Sequence, residues 1–343
     1  MAYFASSVKC DWSIDPNGLL ENSHAIIKQA KKRFSTSKEI RTFSDEQFGL
    51  ILKDSIAPDV LHQTLILRDV IEEHASQFRG HQLLALATST VRFCSKIYFG
   101  PEVGVSQKKK VRDDVMECWL STIQRMNQDL TGLNRTNSYC DYYPATVNLG
   151  DSRDAHLYLT ENSVDAVFTS PPYPNEKDYT RTTRLESVIL GFLNVKSELR
   201  EMKERFLRSN TRNVYKNDKD DDYILHNTEV LKIAEEIECK RINMGKTSGF
   251  ERLYHRVVRL YFGGMARHLE NLKPFLKKGA MLGYVVGDQA SYLQTHIPTG
   301  KILGDIAVHL GYHFVSIDLF RTRFATVTKK NMNEEVVVLK WEG

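Results

Sequence analysis

Val164-Asp165-Ala166-Val167-Phe168-Thr169-Ser170-Pro171-Pro172-Tyr173 opens as a β-branched and aromatic run and ends on two prolines. Valine, phenylalanine and threonine suit the pleated, half-buried surface of a strand. Proline lacks the N–H that a ladder needs and has a fixed φ, so the strand stops at Thr169. Ser170 to Tyr173 then form a stiff loop at a strand's carboxyl end, the edge at which open α/β sheets bind ligands. Taken alone, Ser-Pro-Pro is equally the composition of a surface turn. The flanking sequence decides between the two.

Upstream, Gly150-Asp151-Ser152 and Asn162-Ser163-Val164-Asp165 lead into the strand, and residues 145–149 read as another short strand. Downstream, residues 195–250 are strongly charged, with Asn217-Asp218-Lys219-Asp220-Asp221-Asp222 at their centre, and predict a helical excursion. A helix over 251–275 follows. Lys277-Lys278-Gly279 turns into an apolar strand over 280–286 that ends at Gly287-Asp288, and a helix over 298–310 closes at Gly311. Residues 315–320 and 335–341 read as a final antiparallel pair. Near the start, residues 8–15 read as a strand, Pro16-Asn17-Gly18 as a turn, and the stretch to Arg33 as a helix. Residues 44–133 carry Leu50, Ile51, Leu61, Leu65, Leu67, Val70 and Ile71 at helical spacing, which predicts a helical insertion or cap.

The 343 residues, 41% hydrophobic and 26% charged, suffice for a large α/β domain with an insertion. No apolar run is long enough for a membrane span and no secretory leader pattern is present, so cytoplasmic residence is expected. Cys10, Cys94, Cys118, Cys140 and Cys239 are scattered with no C-x-x-C pair, which predicts reduced thiols and no metal site. The net charge of +4 does not by itself identify a nucleic-acid partner. Lys108 to Lys110 and Arg205 to Arg212 are the candidate basic rim.

Methylating an aromatic amine requires a base turned out of its stack, a flat side chain against it and acceptors that orient the amine. Ser-Pro-Pro-Tyr supplies these: Tyr173 to stack, Ser170 to hydrogen-bond the amine, and Pro171 and Pro172 to fix a backbone carbonyl toward it. The motif resembles that of the amino-methyltransferases of DNA, Asp/Asn/Ser-Pro-Pro-Tyr/Phe, and its serine form resembles the cytosine-N4 branch. Gly150-Asp151-Ser152, Asn162 to Asp165, Leu272-Lys273-Pro274 with Gly279, Tyr284 to Asp288, Ile297 to Gly300 and Glu334 to Leu339 resemble the same family in order, over residues 140–343.

The resemblance implies an α/β, Rossmann-like S-adenosylmethionine-dependent fold that flips a base of double-stranded DNA and needs no covalent enzyme intermediate and no metal. Its domains would be 1–43, a partial donor-binding segment, 44–135, the helical insertion, and 136–343, the catalytic core. It implies Asp15, Asp151 and Thr169 on the donor side, and Asn175, Asp178, Tyr179 and Arg181 around the base. Adenine-N6, an RNA base amine and a catalytically silent DNA-binding or assembly subunit remain open alternatives. A glycine-rich loop of the D-P-F-x-G-x-G type belongs about twenty residues before Asp15 in this order, and none stands there. Phe99-Gly100 and Phe262-Gly263-Gly264 are its only imitations. The expectation is a second polypeptide that carries the loop, with a restriction endonuclease as a further partner.

Overall fold

Asp15 begins a helix rather than ending a strand. In the computed structural model, which describes residues 1–100, 102–137, 144–175, 177–325 and 329–343, its carboxylate accepts from the N–H groups of Asn17 (3.1 Å) and Gly18 (2.9 Å), and Pro16 takes the first helical position. Asp-Pro is thus an N-cap followed by a residue with no N–H to leave orphaned. The residues before it, read as a strand, are helical to Cys10. Asp15→Ala is expected to cost about 1 kcal/mol, read as a lower urea midpoint.

The chain divides into two units, residues 1–149 with 179–201, and residues 150–178 with 202–343. The expected core over 136–343 is therefore interrupted, since 179–201 folds with the first unit. That unit is mainly helical: α1 (Ala2–Cys10), α2 (Pro16–Thr36), α3 (Asp45–Phe48), α4 (Pro58–His74), α5 (Arg79–Ser89), α6 (Val115–Asn137), α7 (Arg184–Ile189) and α8 (Lys196–Glu204), which runs across the boundary, with a small hairpin of β1 (Ile97–Phe99) and β2 (Val103–Val105). The stripe Leu19, Ile26, Ile27, Ala30 of α2 packs with α4 and α6, so residues 1–43 belong to the helical body. Trp119 is fully buried, its indole N–H donating to the Gln82 carbonyl at 2.8 Å. Residues 145–149, expected as a strand, have no regular structure and are largely exposed: a short apolar run without a buried face has nothing to hold it in a sheet.

A cavity of about 1240 Å3 in this unit is walled by Trp12, Arg92, Tyr98, Phe99 and Glu186, among others. Burial pushes the Glu186 carboxyl up to about 7, against its own backbone N–H and Arg92, which act to lower it. A folded pKa above the unfolded value means stability that is full below 4.5 and is lost as pH rises through 7. Glu186→Gln is expected to raise the thermal midpoint at about pH 8 and to change it little at about pH 5, an effect on the order of 2 kcal/mol after allowance for partial exposure.

The second unit is α/β. Its mixed sheet runs β3 (Val164–Thr169), β4 (Leu276–Gly287), β6 (Lys330–Lys340), β5 (His313–Ala325), with β3 parallel to β4 and the other pairs antiparallel. The remaining helices are α9 (Thr228–Asn243), α10 (Tyr254–Leu272) and α11 (Thr299–His309). Leu282 and Tyr284 of β4 stand beside Leu339 and Val337 of β6 on one face, fully buried against Tyr261, Met265 and Leu269 of α10 and Ile302 and Ile306 of α11. Phe262-Gly263-Gly264 lies inside α10, where the backbone of Asp220 sits so close that a Cβ at Gly263 would overlap its carbonyl oxygen. The glycines serve helix packing there, not phosphate binding. Among the described residues no helix is long and apolar enough to cross a membrane, and no cluster of His, Cys, Asp and Glu could hold a metal ion. Cys140 lies outside the described residues.

Candidate active site

β3 ends at Thr169, whose neighbour across the parallel pair is Tyr284, and the two prolines then turn the chain off the sheet. Ser170 is exposed, while Pro171, Pro172 and Tyr173 are half-buried. Beside the loop is a cavity of about 370 Å3 lined by Val167, Thr169, Ser170, Pro171 and Pro172, by Met265 and His268 of α10, and by Tyr284, Ser152 and Arg153. That volume falls within the range of small-molecule pockets, roughly 300–1,000 Å3. Tyr173 lies over the end of β4: a Cβ at Gly287 would stand 3.1 Å from its ring. Glycine at 287 thus leaves the space that the aromatic side chain uses.

The Gly150-Asp151-Ser152 segment is held by a buried ionic network. Asp151 accepts from the Arg153 guanidinium at 2.5 and 3.0 Å, Arg153 also pairs with Asp220, and Asp220 pairs with Arg267, which reaches Asp154. Burial alone would raise the Asp151 pKa, but the hydrogen bonds from Arg153 hold it below the ordinary carboxylate value. The carboxylate expected near the donor is therefore committed to an arginine two residues away. His268 adds a neutral bridge. Its Nδ1 faces the Ser152 carbonyl at 2.8 Å and so carries the proton, and its Nε2 accepts from the Tyr284 hydroxyl at 2.8 Å. Burial lowers the His268 pKa and raises that of Tyr284, which keeps both uncharged.

Of the residues expected around the base, Asn175 is buried, with its N–H donating to the Tyr173 carbonyl at 2.7 Å, and Asp178 forms a buried ion pair with Lys203 at 2.7 Å. Tyr179 and Arg181 fold with the first unit, where Arg181 is 3.8 Å from Glu102. Asp15 also belongs to the first unit, as a helix cap.

The basic rim changes as well. Arg208 is buried against Asp218 at 2.7 Å and donates to the Lys203 and Glu204 carbonyls, and Lys109 donates to the Ile97 carbonyl at 2.7 Å. Both are structural cations, and Lys108, Lys110, Arg205 and Arg212 remain exposed. The sequence reading missed the far half of the β5–β6 hairpin. It extends past residue 320 and exposes Phe320 and Phe324, with Arg321 paired to Glu334, the partner of Gly287 across the sheet. The alternation Phe320-Arg321-Thr322-Arg323-Phe324 is the signal that marks it.

The fit to a methyl donor is one-sided. The cavity beside Ser170 has the size for a nucleobase, but the two acids expected on the donor side are engaged elsewhere: Asp15 caps a helix of the first unit and Asp151 is paired with Arg153.

No family model matches the chain, and no solved structure does. It is 29% identical over 237 residues to the Type II methyltransferase M.AvaI of Nostoc sp. (strain PCC 7120 / SAG 25.82 / UTEX 2576), and equally to that of Anabaena variabilis. Each match covers 65% of this chain and 43% of the relative, so the chain spans less than half the length of the curated relatives it matches. The similarity supports kinship with type II methyltransferases.

Proposed function

We propose that the chain is the base-binding, catalytic part of an S-adenosylmethionine-dependent DNA methyltransferase of Rossmann-like type that modifies the exocyclic amine of cytosine at N4. The observation that carries this reading is the Ser170-Pro171-Pro172-Tyr173 loop at the carboxyl end of β3, with a nucleobase-sized cavity on its flank and the Tyr173 ring over Gly287. The similarity to M.AvaI supports the class of reaction. In this reading Tyr173 stacks on the everted base, the Ser170 hydroxyl accepts one amine hydrogen, and the carbonyl fixed by the prolines accepts the other. Asn175 braces the Tyr173 carbonyl, and Asp178 with Lys203 anchors the chain beyond it. A restriction endonuclease of matching specificity is the natural counterpart of such an activity.

The test is made in the cell that produces the chain. Nucleosides from its DNA are compared by mass spectrometry with those from a strain carrying Tyr173→Ala. The expected result is N4-methylcytosine that disappears in the variant. N6-methyladenine that disappears instead moves the target to adenine, and methylated bases in DNA that do not depend on Tyr173 sink the proposal.

A further inference from the structure

Among the described residues the sheet of the second unit stops at β3, which pairs with β4 on one side. One row of its backbone N–H and C=O groups therefore has no strand partner among the described residues, and the strand is parallel to its neighbour. Parallel strands are normally interior and covered on both faces, and exposed edges are normally blunted by charge, proline or bulges. Along β3 such devices are confined to its start, where Asp165 is the only charge and the register with β4 shifts between Val164 and Ala166, while further along Phe168 is 78% exposed. The helices α10 and α11 both pack on the face of Tyr284 and Val337. On the opposite face Phe168 lies over Gly283, with its ring 2.9 Å from where a Cβ would stand, next to Val336, and Met281, paired with Ala166, is 40% exposed.

We infer that the free edge of β3 and the apolar face around Phe168 dock a second polypeptide through a parallel β/α unit, one strand adding beside β3 and one helix covering Phe168 and Met281. The incoming unit also brings the methyl-donor site, a part of the inference that rests on the function proposed above. A parallel strand outside β3 makes the junction a point where strand order reverses, because the chain itself runs inward from β3 to β4. Open α/β sheets bind ligands in the crevice at the carboxyl ends of such strands, and Ser170 stands at that end. The one-sided fit to the donor has the same explanation. More than half of each M.AvaI relative lies outside the matched stretch, so the relatives carry additional polypeptide. A second copy of this chain fits poorly: a two-fold pairing of two β3 edges runs antiparallel and sets the two Ser170 loops at opposite ends of the junction.

Phe168 is replaced by the photo-crosslinking residue p-benzoylphenylalanine in the producing cell. The expected product is a cross-link to one different polypeptide, at an apolar strand or the helix that follows it. Co-produced with that polypeptide, the chain is expected to form a 1:1 complex, to show slowed hydrogen–deuterium exchange over 164–169, and to bind S-adenosylmethionine, which the chain alone does not. Phe168→Asp, folded by circular dichroism because the ring is exposed, is expected to weaken the complex about tenfold or more. Tyr173→Ala keeps assembly and donor binding. A cross-link to a second copy or within the chain, no cross-link, or equal exchange over 164–169 with and without the partner overturns the docking site. A protected complex that takes no S-adenosylmethionine supports docking and overturns the donor assignment.

Discussion

Tyr173→Ala is expected to lower kcat for methyl transfer by on the order of a hundredfold in the assembled enzyme, while its thermal midpoint stays near that of the parent. Two effects combine. Stacking of a base on an aromatic ring is worth about 1–3 kcal/mol, and loss of the platform lets the amine drift from its approach line, where a shift of about 1 Å costs about a hundredfold. The ring is half-buried and rests beside a glycine, so its loss opens space at the sheet's end without emptying the core. Tyr173→Phe keeps the platform and is expected to retain most of the rate. Incorporation of labelled methyl groups measures both variants, and an equal loss in the two would show that the hydroxyl, not the ring, carries the effect.

The second large effect concerns stability. Arg153→Met is expected to cost about 3–5 kcal/mol, because it leaves Asp151 and Asp220 buried with a cation removed from between them. Asp220→Asn in the same chain should recover part of the loss, and the double-mutant cycle measures the coupling by urea denaturation. The pH dependence has a definite sign. A depressed folded pKa for Asp151 gives stability present above its ordinary value of 3.8 and lost as the pH falls through the folded value. In Arg153→Met that acid-side loss should shrink. A variant as stable as the parent at neutral pH would mean that the network contributes no net stability.

Much of the second unit was legible because its signals are local. A β-branched run stopped by prolines and a helix closed by glycine each specify an element without distant help, whereas Lys277-Lys278-Gly279, expected as the turn before a strand over 280–286, lies inside β4, whose pairing begins at Leu276. The same locality explains the misreadings. Pro16-Asn17-Gly18 has a turn's composition, but Asp15 before it makes it a helix start, and the two hydrogen bonds that its carboxylate accepts separate the two. Residues 145–149 alternate without a buried face to receive them. Arg208 and Lys109 look like surface cations in a list of residues, and only their tertiary partners, Asp218 and the Ile97 carbonyl, make them structural. The loop of the candidate site was read from four residues. Its support by Gly287, His268 and Arg153 comes from positions up to 117 residues away from Ser170, a separation at which no pattern within one window helps.

The order of synthesis gives β3 an awkward wait. Val164 pairs with Leu276, so the strand leaves the ribosome long before its neighbour exists, and at about 5–20 residues per second the delay is on the order of ten seconds. Residues 179–201, which complete the helical unit, emerge during that interval, so that body can finish folding while β3 is still unclaimed. A nascent apolar segment held open for so long is a natural client for chaperones. Slower translation between the two strands would lower the yield of active protein without altering a single side chain.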